Sequence, residues 1–461
     1  MSDEQPAFWF GFEVAWAKLA VARVCVFGLL ALDALDQIRH APRYGAGGFN
    51  VAQLPGLDAL GPGRVAYGAC ELMNAYIFVL AAFGAARRGA LGLAAALYAW
   101  LYFGSQLDSY QHHYLVALVL VIACCVPWQR PAQATPATPV RAWAVRLWLV
   151  QLAVMYLWAA ISKLNPTWLH GTALDGQIHG PLRSLIDATI GLRATAWLVV
   201  LTELVLAATV WWRRAWPIVA PIGLGFHLAI VFTGLEIGLF AWLMIAMYAL
   251  VVPDRVWVWL LARLEPVRAR LAGIALGTAA RLGAIAAAVV LGIVLAALCR
   301  FEDALGLAIV LGLVVAGAAL ARRRTWLCIA HVAAIATWLA VDRASTIAVD
   351  YYKFWGGDAR RLGERADAEH AYRRLIAIAP DDAAAHFQLG RVLLVQGDAS
   401  GLDELHVAEQ LEPDRARSLV LEARWLAGHG DRAAALAKAR AAVAAEPGDR
   451  EAQAVLARLA R

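Results

Sequence analysis

Long apolar runs recur through the first three quarters of this 461-residue chain. The first covers roughly 17–35, close to the ~20 residues that a helix needs to cross a bilayer. Further runs follow at about 65–85, 90–107, 114–127, 143–164, 194–212, 215–233 and 237–253, and then at about 282–299, 304–321 and 325–341. Lipid offers the backbone no hydrogen-bond partners, so such runs form helices. The sequence therefore predicts an all-α fold, a polytopic transmembrane helix bundle with about eight spans and about three more after them.

The composition also favours a protein that lies in a lipid bilayer. Hydrophobic residues make up 61% of the chain, whereas a soluble globular chain is about half apolar. Many of the 19 tryptophans flank the apolar runs, as an interfacial aromatic belt requires. The net charge of +6 does not indicate nucleic-acid binding, because the arginines are spread over short loops and the C-terminal part. The six cysteines lie in or beside apolar runs without CxxC spacing, so we interpret them as packing residues and predict no metal site.

Positive charge in short loops predicts the orientation in the membrane. Arginines mark alternate loops, among them Arg87-Arg88 and Arg213-Arg214, and these loops should be cytoplasmic. The N-terminus is then cytoplasmic, and the first span serves as its own insertion signal in what we expect to be a bacterial inner membrane. Lys163, His112 and His113 should lie at the outer, periplasmic face. With eleven spans the C-terminal tail is also outside, and a difference of one span would reverse its side.

The chain divides into three parts by composition. Residues 15–255 hold the first eight apolar runs, and 256–345 hold a basic amphipathic segment and the additional runs. Residues 360–461 are charged and alanine-rich, with Gly363, Gly397 and Gly430 recurring at intervals of 34 and 33. The prolines that close apolar helical patterns recur at the same spacing, at positions 380, 413 and 447. This period predicts tetratricopeptide-like repeats, in which paired helices stack to bury a continuous core.

The stretch QLAVMYLWAAISKLNPTWLHG, Gln151 to Gly171, contains the first candidate for chemistry. Asn165-Pro166 should end its apolar helix directly after Lys163. A lysine at the end of a span usually extends its amine to water and covers apolar surface with its stem. The alternative is a partly desolvated amine that acts as a base. The residues alone favour the anchor.

Other polar residues in or beside the spans raise the same question. His112 and His113 begin a span, and adjacent histidines on a helix do not face each other, so an interfacial polar cap is the simpler interpretation. Charged and polar side chains inside a span need partners, which a polar cavity or helix–helix hydrogen bonds would supply. The residues in question are Arg23, Asp33, Glu71, Asn74, Glu203 and His227.

The order of these segments resembles the membrane domain of the vitamin K-dependent γ-glutamyl carboxylases and of the wider bacterial HTTM (horizontally transferred transmembrane) group. The resemblance covers about residues 15–255. It rests on LAVARVCVFGLLALD near the start, on YQHHYL, on the Gln151–Gly171 stretch, and on FH followed ten residues later by IGLF. Within the third segment the matching residues are Gln151, Tyr156, Lys163, Leu164, Trp168 and Gly171.

The resemblance implies a reaction and its residues. Lys163 would be the base that deprotonates vitamin K hydroquinone or a related quinol, the implied cofactor. The quinol's reaction with oxygen then yields a strong base that removes a glutamate γ-proton, and the carbanion adds CO2. The histidine that assists this carbanion step corresponds to His112, while His113 occupies a non-matching position. Beyond Lys163 and His112, the candidates for the substrate cavity are His113, Gln151, Tyr156, Trp168, His227, Arg23, Asp33 and Glu203.

Two functions follow from these observations. One is a quinol-dependent, carboxylase-like membrane enzyme. Its acceptor is not fixed by the resemblance, because the carboxylases continue into a β-rich soluble domain where this chain has apolar runs and a helical repeat. The other is a non-catalytic membrane anchor that presents the repeats to a partner protein. A transporter is less favoured, since no pair of matching Gly/Pro-broken spans appears in two halves.

Overall fold

The computed structural model describes residues 9–44, 52–54, 56–107, 111–175, 177–233, 239–272, 286, 344–413 and 415–461. The runs predicted as spans at 304–321 and 325–341 lie outside the described residues, as does nearly all of the run at 282–299.

Helices account for most of the described N-terminal part, as predicted. They are α1 (Trp16–Gln37), α2 (Arg64–Ala82), α3 (Arg88–Phe103), α4 (Gln111–Ala123), α5 (Trp143–Ser162), α6 (Pro166–Leu169), α7 (Gly180–Thr189), α8 (Gly191–Thr209), α9 (Trp216–Phe232), α10 (Leu239–Met247) and α11 (Asp254–Ala272). Each of the eight apolar runs predicted between residues 17 and 253 contains one of these helices. The break between α5 and α6 has a local cause. Pro166 is the first residue of α6, and the Asn165 side chain caps the start of this helix.

Four helical segments among the described residues are long and apolar enough to cross a membrane. They are Arg64–Ala82, Trp143–Ser162, Gly191–Thr209 and Arg213–Phe232. A fifth span would be the pair Leu239–Leu250 and Asp254–Pro266, which is bent by 88°. α1 fails the same test because of its charged residues, and α3 and α4 have only 16 and 13 residues. The predicted count of eight spans therefore stays a prediction, while the helical character of the eight runs is confirmed.

The buried helix α1 organises the bundle. Its buried face follows helical spacing through Leu19, Ala22, Val26 and Leu30. It packs against α2, α10 and α11. Small residues in this face allow close helix packing, which is the main source of helix association in lipid.

A short β-ladder, absent from the all-α prediction, closes one end of the bundle. Strands β1 (Glu13–Ala15) and β2 (Pro139–Arg141) pair antiparallel. The Trp16 amide also donates to the Thr138 carbonyl at 2.8 Å. The loop between α4 and α5 therefore lies at the start of α1. Since α4 runs toward this end and α5 runs away from it, the start of α4 and the end of α5 lie at the opposite end of the bundle.

Charged residues gather at the β-ladder end. Lys18 is fully buried, with its Nζ 2.8 Å from Asp254 Oδ1 and 3.7 Å from the centre of the Trp216 ring. Arg213 reaches the other oxygen of Asp254 at 3.0 Å. These contacts connect the beginnings of α1, α9 and α11.

The tail is a series of helices, each packed on the next. They are α12 (Ala344–Leu362), α13 (Arg365–Ile378), α14 (Ala383–Gln396), α15 (Gly401–Leu411), α16 (Arg417–Gly428), α17 (Arg432–Ala445) and α18 (Arg450–Leu459). Gly363, Gly397 and Gly430 each follow the end of a helix with φ between +78° and +87°, a conformation that favours glycine. The recurring prolines come two residues after the ends of α13, α15 and α17.

The tail contacts the membrane bundle through α12. Its Asp350 lies 3.4 Å from Arg39, and its Phe354 ring lies 4.9 Å from the His40 ring. The Arg64 guanidinium lies over the Trp355 ring, 4.4 Å from the ring centre. Burial lowers the pKa of His40 to about 3, with smaller contributions from two neighbouring arginines, so the ring that meets Phe354 is neutral at pH 7. The tail therefore packs on the 3₁₀ segment Ile38–Tyr44 and the start of α2.

Candidate active site

Lys163 lies where α5 ends, and it binds a carboxylate of α8. Its Nζ donates to Glu203 Oε1 at 2.7 Å and Oε2 at 2.9 Å, and to the Ala159 carbonyl at 3.1 Å. The Glu203 side chain is 6% exposed and the Lys163 side chain 20%. α5 packs along α8 and thereby brings together two residues that are 40 positions apart. Lys163 is therefore an ion-paired residue at the edge of the bundle rather than an anchor that extends to water.

The turn after α5 holds an aromatic ring against this pair. Trp168 lies in α6, with its ring centre 5.2 Å from Lys163 Nζ. Its indole nitrogen lies 3.4 Å from the Ala196 carbonyl of α8. The ring therefore covers one side of the Lys163 ammonium group, and the cavity role of Trp168 stays a prediction.

A second polar group lies deeper along the same face of α5. The Tyr156 hydroxyl lies 2.6 Å from His227 Nε2 and donates to the Tyr248 hydroxyl at 3.0 Å. All three side chains are buried in the bundle. Tyr156 precedes Lys163 by seven residues, about two helical turns, and it lies within electrostatic range of Glu203. His227 is a hydrogen-bonded histidine of the core, one of the two interpretations that the sequence left open.

The histidine pair lies at the beginning of α4. His113 is 8% exposed, and its Nδ1 lies 2.7 Å from the Tyr98 hydroxyl of α3. The ring centres of His112 and His113 are 4.2 Å apart. The resemblance selects His112 as the assisting group, whereas the contact with Tyr98 is made by His113.

A small cavity between the first four helices has room for about one water molecule. It lies at the end of the bundle opposite the β-ladder. Lys163 and His227 are not part of its lining. The lining residues are Gln37, Tyr67, Glu71, Tyr98, Leu101, Tyr102 and His113.

Three further candidates lie elsewhere or at the edge of these groups. Arg23 donates to the Trp128 carbonyl at 2.6 Å. It lies ten residues before Asp33 on α1, which corresponds to about 15 Å along the helix. Asp33 accepts from Gln37 Nε2 at 3.3 Å and lies within electrostatic range of Glu71, so it belongs to the surroundings of the cavity. Gln151 is half-buried in α5, and the described contacts of the Lys163 and Tyr156 groups do not include it.

Sequence reasoning missed the tyrosines that complete these groups. Tyr248 binds Tyr156, while Tyr98 binds His113 and Tyr67 lines the cavity. The available signal was a phenol inside an apolar run, since a buried hydroxyl requires a hydrogen-bond partner. Among the described residues, no three His, Cys, Asp or Glu side chains converge as metal ligands.

The fold and these contacts define a membrane protein, a bundle of apolar helices that carries ion-paired and hydrogen-bonded polar side chains in its interior. The HTTM domain matches residues 13–257, and the chain belongs to the HTTM domain family. A stretch of 96 residues, 20% of the chain, is 41% identical to cellulose synthase 2 operon protein C of Komagataeibacter xylinus. That match covers 7% of the relative's length.

Proposed function

We propose that this protein is a membrane enzyme that removes a proton from a lipophilic quinol, with Lys163 as the base. The observation that carries the proposal is the contact of Lys163 with the buried carboxylate of Glu203. A lysine can act as a base only after it loses a proton, and Glu203 is the acceptor within reach. The resemblance to the carboxylases supports the same role for Lys163.

The pair can move protons within its own contacts. Lys163 Nζ transfers a proton to Glu203 Oε1, which converts an ion pair into a neutral amine and a carboxylic acid. Burial lowers the free-energy cost of this transfer, because a low dielectric disfavours both charges. The Nζ lone pair then accepts a proton from the substrate and restores the ammonium group. The reduced quinol, when bound, supplies an acidic O–H and reducing equivalents for reaction with oxygen.

The surface around Lys163 suits a quinol that arrives from the lipid. Trp158 is 66% exposed, Ile161 44% and Leu164 52%, all beside the end of α5. Such apolar side chains face hydrocarbon in a membrane bundle. A lipophilic ring would lie against Trp168 while its hydroxyl reaches Lys163, so the residues present fit the implied cofactor.

The carboxylation half of the proposal uses the histidines at the same end of the bundle. His112, adjacent to His113 at the start of α4, would assist the carbanion that adds CO2, as the resemblance implies.

The test uses purified full-length protein in lipid nanodiscs with vitamin K hydroquinone, oxygen, labelled bicarbonate and a glutamate-containing peptide as the acceptor. We expect quinol epoxidation coupled to CO2 incorporation. Lys163→Ala should lower the rate by about 10²–10⁴-fold, the usual contribution of a positioned base. Lys438→Ala is the matched control, since it also removes a lysine from a carboxylate, Glu422 at 2.7 Å, but in the tail. Equal epoxidation by wild type and Lys163→Ala would remove Lys163 from the mechanism.

The second candidate is a scaffold that presents the tail to a partner protein, and the contact of α12 with the bundle favours it. An interface built from Asp350, Phe354 and Trp355 holds the tail in one orientation, as presentation requires. The relative from Komagataeibacter xylinus is named for a cellulose synthase operon, so we propose a partner in cellulose synthesis as the first candidate. Crosslinking in cells should recover synthesis proteins with the full chain and lose them when residues 360–461 are deleted. Recovery of the same partners with both chains would contradict the scaffold function.

A further inference from the structure

Glu71 is a buried carboxylate that lines the cavity between the first four helices. It is 4% exposed, and its Oε2 has no hydrogen-bond partner among the described residues. Asn74, one turn further along α2, is fully buried, and both polar atoms of its amide likewise lack partners in the described part of the chain. Unpaired buried polar groups are rare and costly, so each requires an explanation.

Among the described residues, no hydrogen bond or ion pair joins Glu71 to a cation that would stabilise a charged carboxylate. The groups that face it and Tyr67 from the neighbouring elements are Asp33 of α1, Arg43 of the segment Ile38–Tyr44, Cys70 of α2, Tyr98 and Tyr102 of α3, and His113 of α4. The nearest charged group of α1 is a second carboxylate, and two carboxylates in electrostatic range disfavour double ionisation. Arg43 lies within electrostatic range of Tyr67, and Asp33 lies within electrostatic range of Glu71. A proton on Glu71 removes the unpaired buried charge.

The cavity places a proton acceptor within reach of such a proton. Tyr98 lies in the same lining, and its hydroxyl is 2.7 Å from His113 Nδ1. One water molecule fits the cavity and would bridge Glu71 to the Tyr98 hydroxyl. Glu71, Tyr98 and His113 belong to three different helices, so the packing of α2, α3 and α4 assembles this arrangement.

We infer that the cavity is a proton-transfer site in which Glu71 holds a transferable proton and exchanges it with His113 through Tyr98. In the forward step Glu71 Oε2 releases its proton to the bridging water, the water passes one to the Tyr98 oxygen, and the Tyr98 hydroxyl gives its own to His113 Nδ1. The step leaves a buried Glu71 carboxylate and a buried His113 imidazolium, so this charged state is short-lived and the reverse step restores the neutral groups. The ligand of the site is the proton together with one water molecule. This inference does not rest on the proposed function, because its measurements use neither quinol nor CO2.

Infrared spectroscopy of the full-length protein in nanodiscs tests the protonated state. We expect the C=O stretch of a carboxylic acid at neutral pH, lost in Glu71→Gln and kept in Asp33→Asn. Glu422→Gln is the matched control, because Glu422 is also buried but is paired with Lys438 at 2.7 Å, far from both sites, and should contribute no such band. A wild-type spectrum without the band, or a Glu71→Gln spectrum with the band undiminished, would overturn the proposal.

Carbodiimide labelling of the wild type covers the case in which Glu71→Gln does not fold. Dicyclohexylcarbodiimide reacts with protonated carboxyl groups in apolar surroundings, and peptide mapping locates the product. We expect modification at Glu71 in several-fold excess over Glu422, which is buried but paired with Lys438. Equal modification of the two residues, or none at Glu71, would contradict the inference.

Tyr98→Phe tests the transfer itself. The substitution keeps the ring and removes the hydroxyl between cavity and histidine. We expect the carboxylic-acid band to persist but to shift about tenfold more slowly after transfer into D2O, since the relay has lost one donor. A merely structural tyrosine would leave that exchange rate unchanged, and such a result would remove Tyr98 and His113 from the transfer.

Discussion

The Lys163 ammonium group lies 2.7 Å from one oxygen of Glu203 and 2.9 Å from the other. The lysine terminates α5, and the glutamate lies in the middle of α8. Intramembrane charges are costly unless they are paired, so each residue stabilises the other's position. The pair also gives Lys163 a proton acceptor, which a lysine extended to water would lack.

A double-mutant cycle should show strong coupling within this pair. We expect Lys163→Met and Glu203→Gln each to destabilise the protein and the double variant to lose less than their sum, with a coupling free energy of about 1–3 kcal/mol. Thermal unfolding of the four proteins in detergent measures this coupling free energy. The surface pair of Arg183 and Asp187, 2.6 Å apart, is the control and should couple much more weakly, because water screens its charges. Additive effects of the two substitutions would show that the contact does not stabilise the protein.

Gly223 should be required for the group around Tyr156. A Cβ at this position of α9 would overlap the Tyr248 side chain, whereas a Cβ at Gly225 would meet no atom within 4 Å. We expect Gly223→Ala to displace the Tyr248 hydroxyl and to lower stability by about 1–3 kcal/mol through overpacking. Gly225→Ala, on the same helix, should be neutral or stabilising by up to about 1 kcal/mol, because alanine favours the helix. Thermal unfolding of the two variants measures both changes in stability, and equal melting temperatures would refute the predicted overlap.

The start of α14 should become less stable at acid pH. Burial raises the pKa of Asp382, but its contacts with Lys353 Nζ at 2.7 Å and with the amides of α14 outweigh burial, and the net pKa lies below the ordinary 3.8. A carboxylate with a lowered folded-state pKa stabilises the fold above the unfolded-state pKa. The contribution is therefore complete well above pH 3.8 and is lost as the pH falls through the lower folded value.

Hydrogen exchange of the full chain measures this effect. Protection factors in residues 383–396 should fall between pH 6 and pH 3 in the wild type. Asp382→Asn should lower protection at pH 6 and remove most of its pH dependence, because asparagine can still cap the helix but cannot titrate. An identical pH dependence in both proteins would assign the effect to other groups.

Phe354→Ala should loosen the tail from the bundle. The ring contacts both His40 at 4.9 Å and the Arg43 guanidinium at 5.2 Å, so its removal takes two contacts from this interface. We expect faster hydrogen exchange in residues 38–44 and 344–362, with residues 432–459 unchanged. Phe387→Ala, which removes a ring that contacts Arg417 within the tail, is the control and should leave residues 38–44 unaffected. Unchanged exchange at residues 38–44 in Phe354→Ala would show that the ring does not hold the tail.

Much of the architecture followed from local patterns. Apolar run length predicted the helices of the bundle, because a membrane leaves the backbone no other way to satisfy its hydrogen bonds. Pro166 marked the end of α5, because its ring cannot continue the helix. The recurring glycines and prolines of the tail marked helix ends for the same local reasons. The short β-ladder was not predicted, since three-residue strands carry no periodic signal.

Less of the candidate site than of the helical architecture could be predicted from the sequence. The sequence determined that Lys163, Glu203, Tyr156 and His227 are polar groups in or beside apolar helices, and that such groups require partners. Only the tertiary structure decided which partner each one takes. Lys163 bonds to Glu203 because α5 packs along α8, and α9, which packs on α8, brings His227 within reach of Tyr156. Helical periodicity sets which side of a helix a residue lies on, but the rotation and offset of one helix against another arise from side-chain packing between residues far apart in the chain.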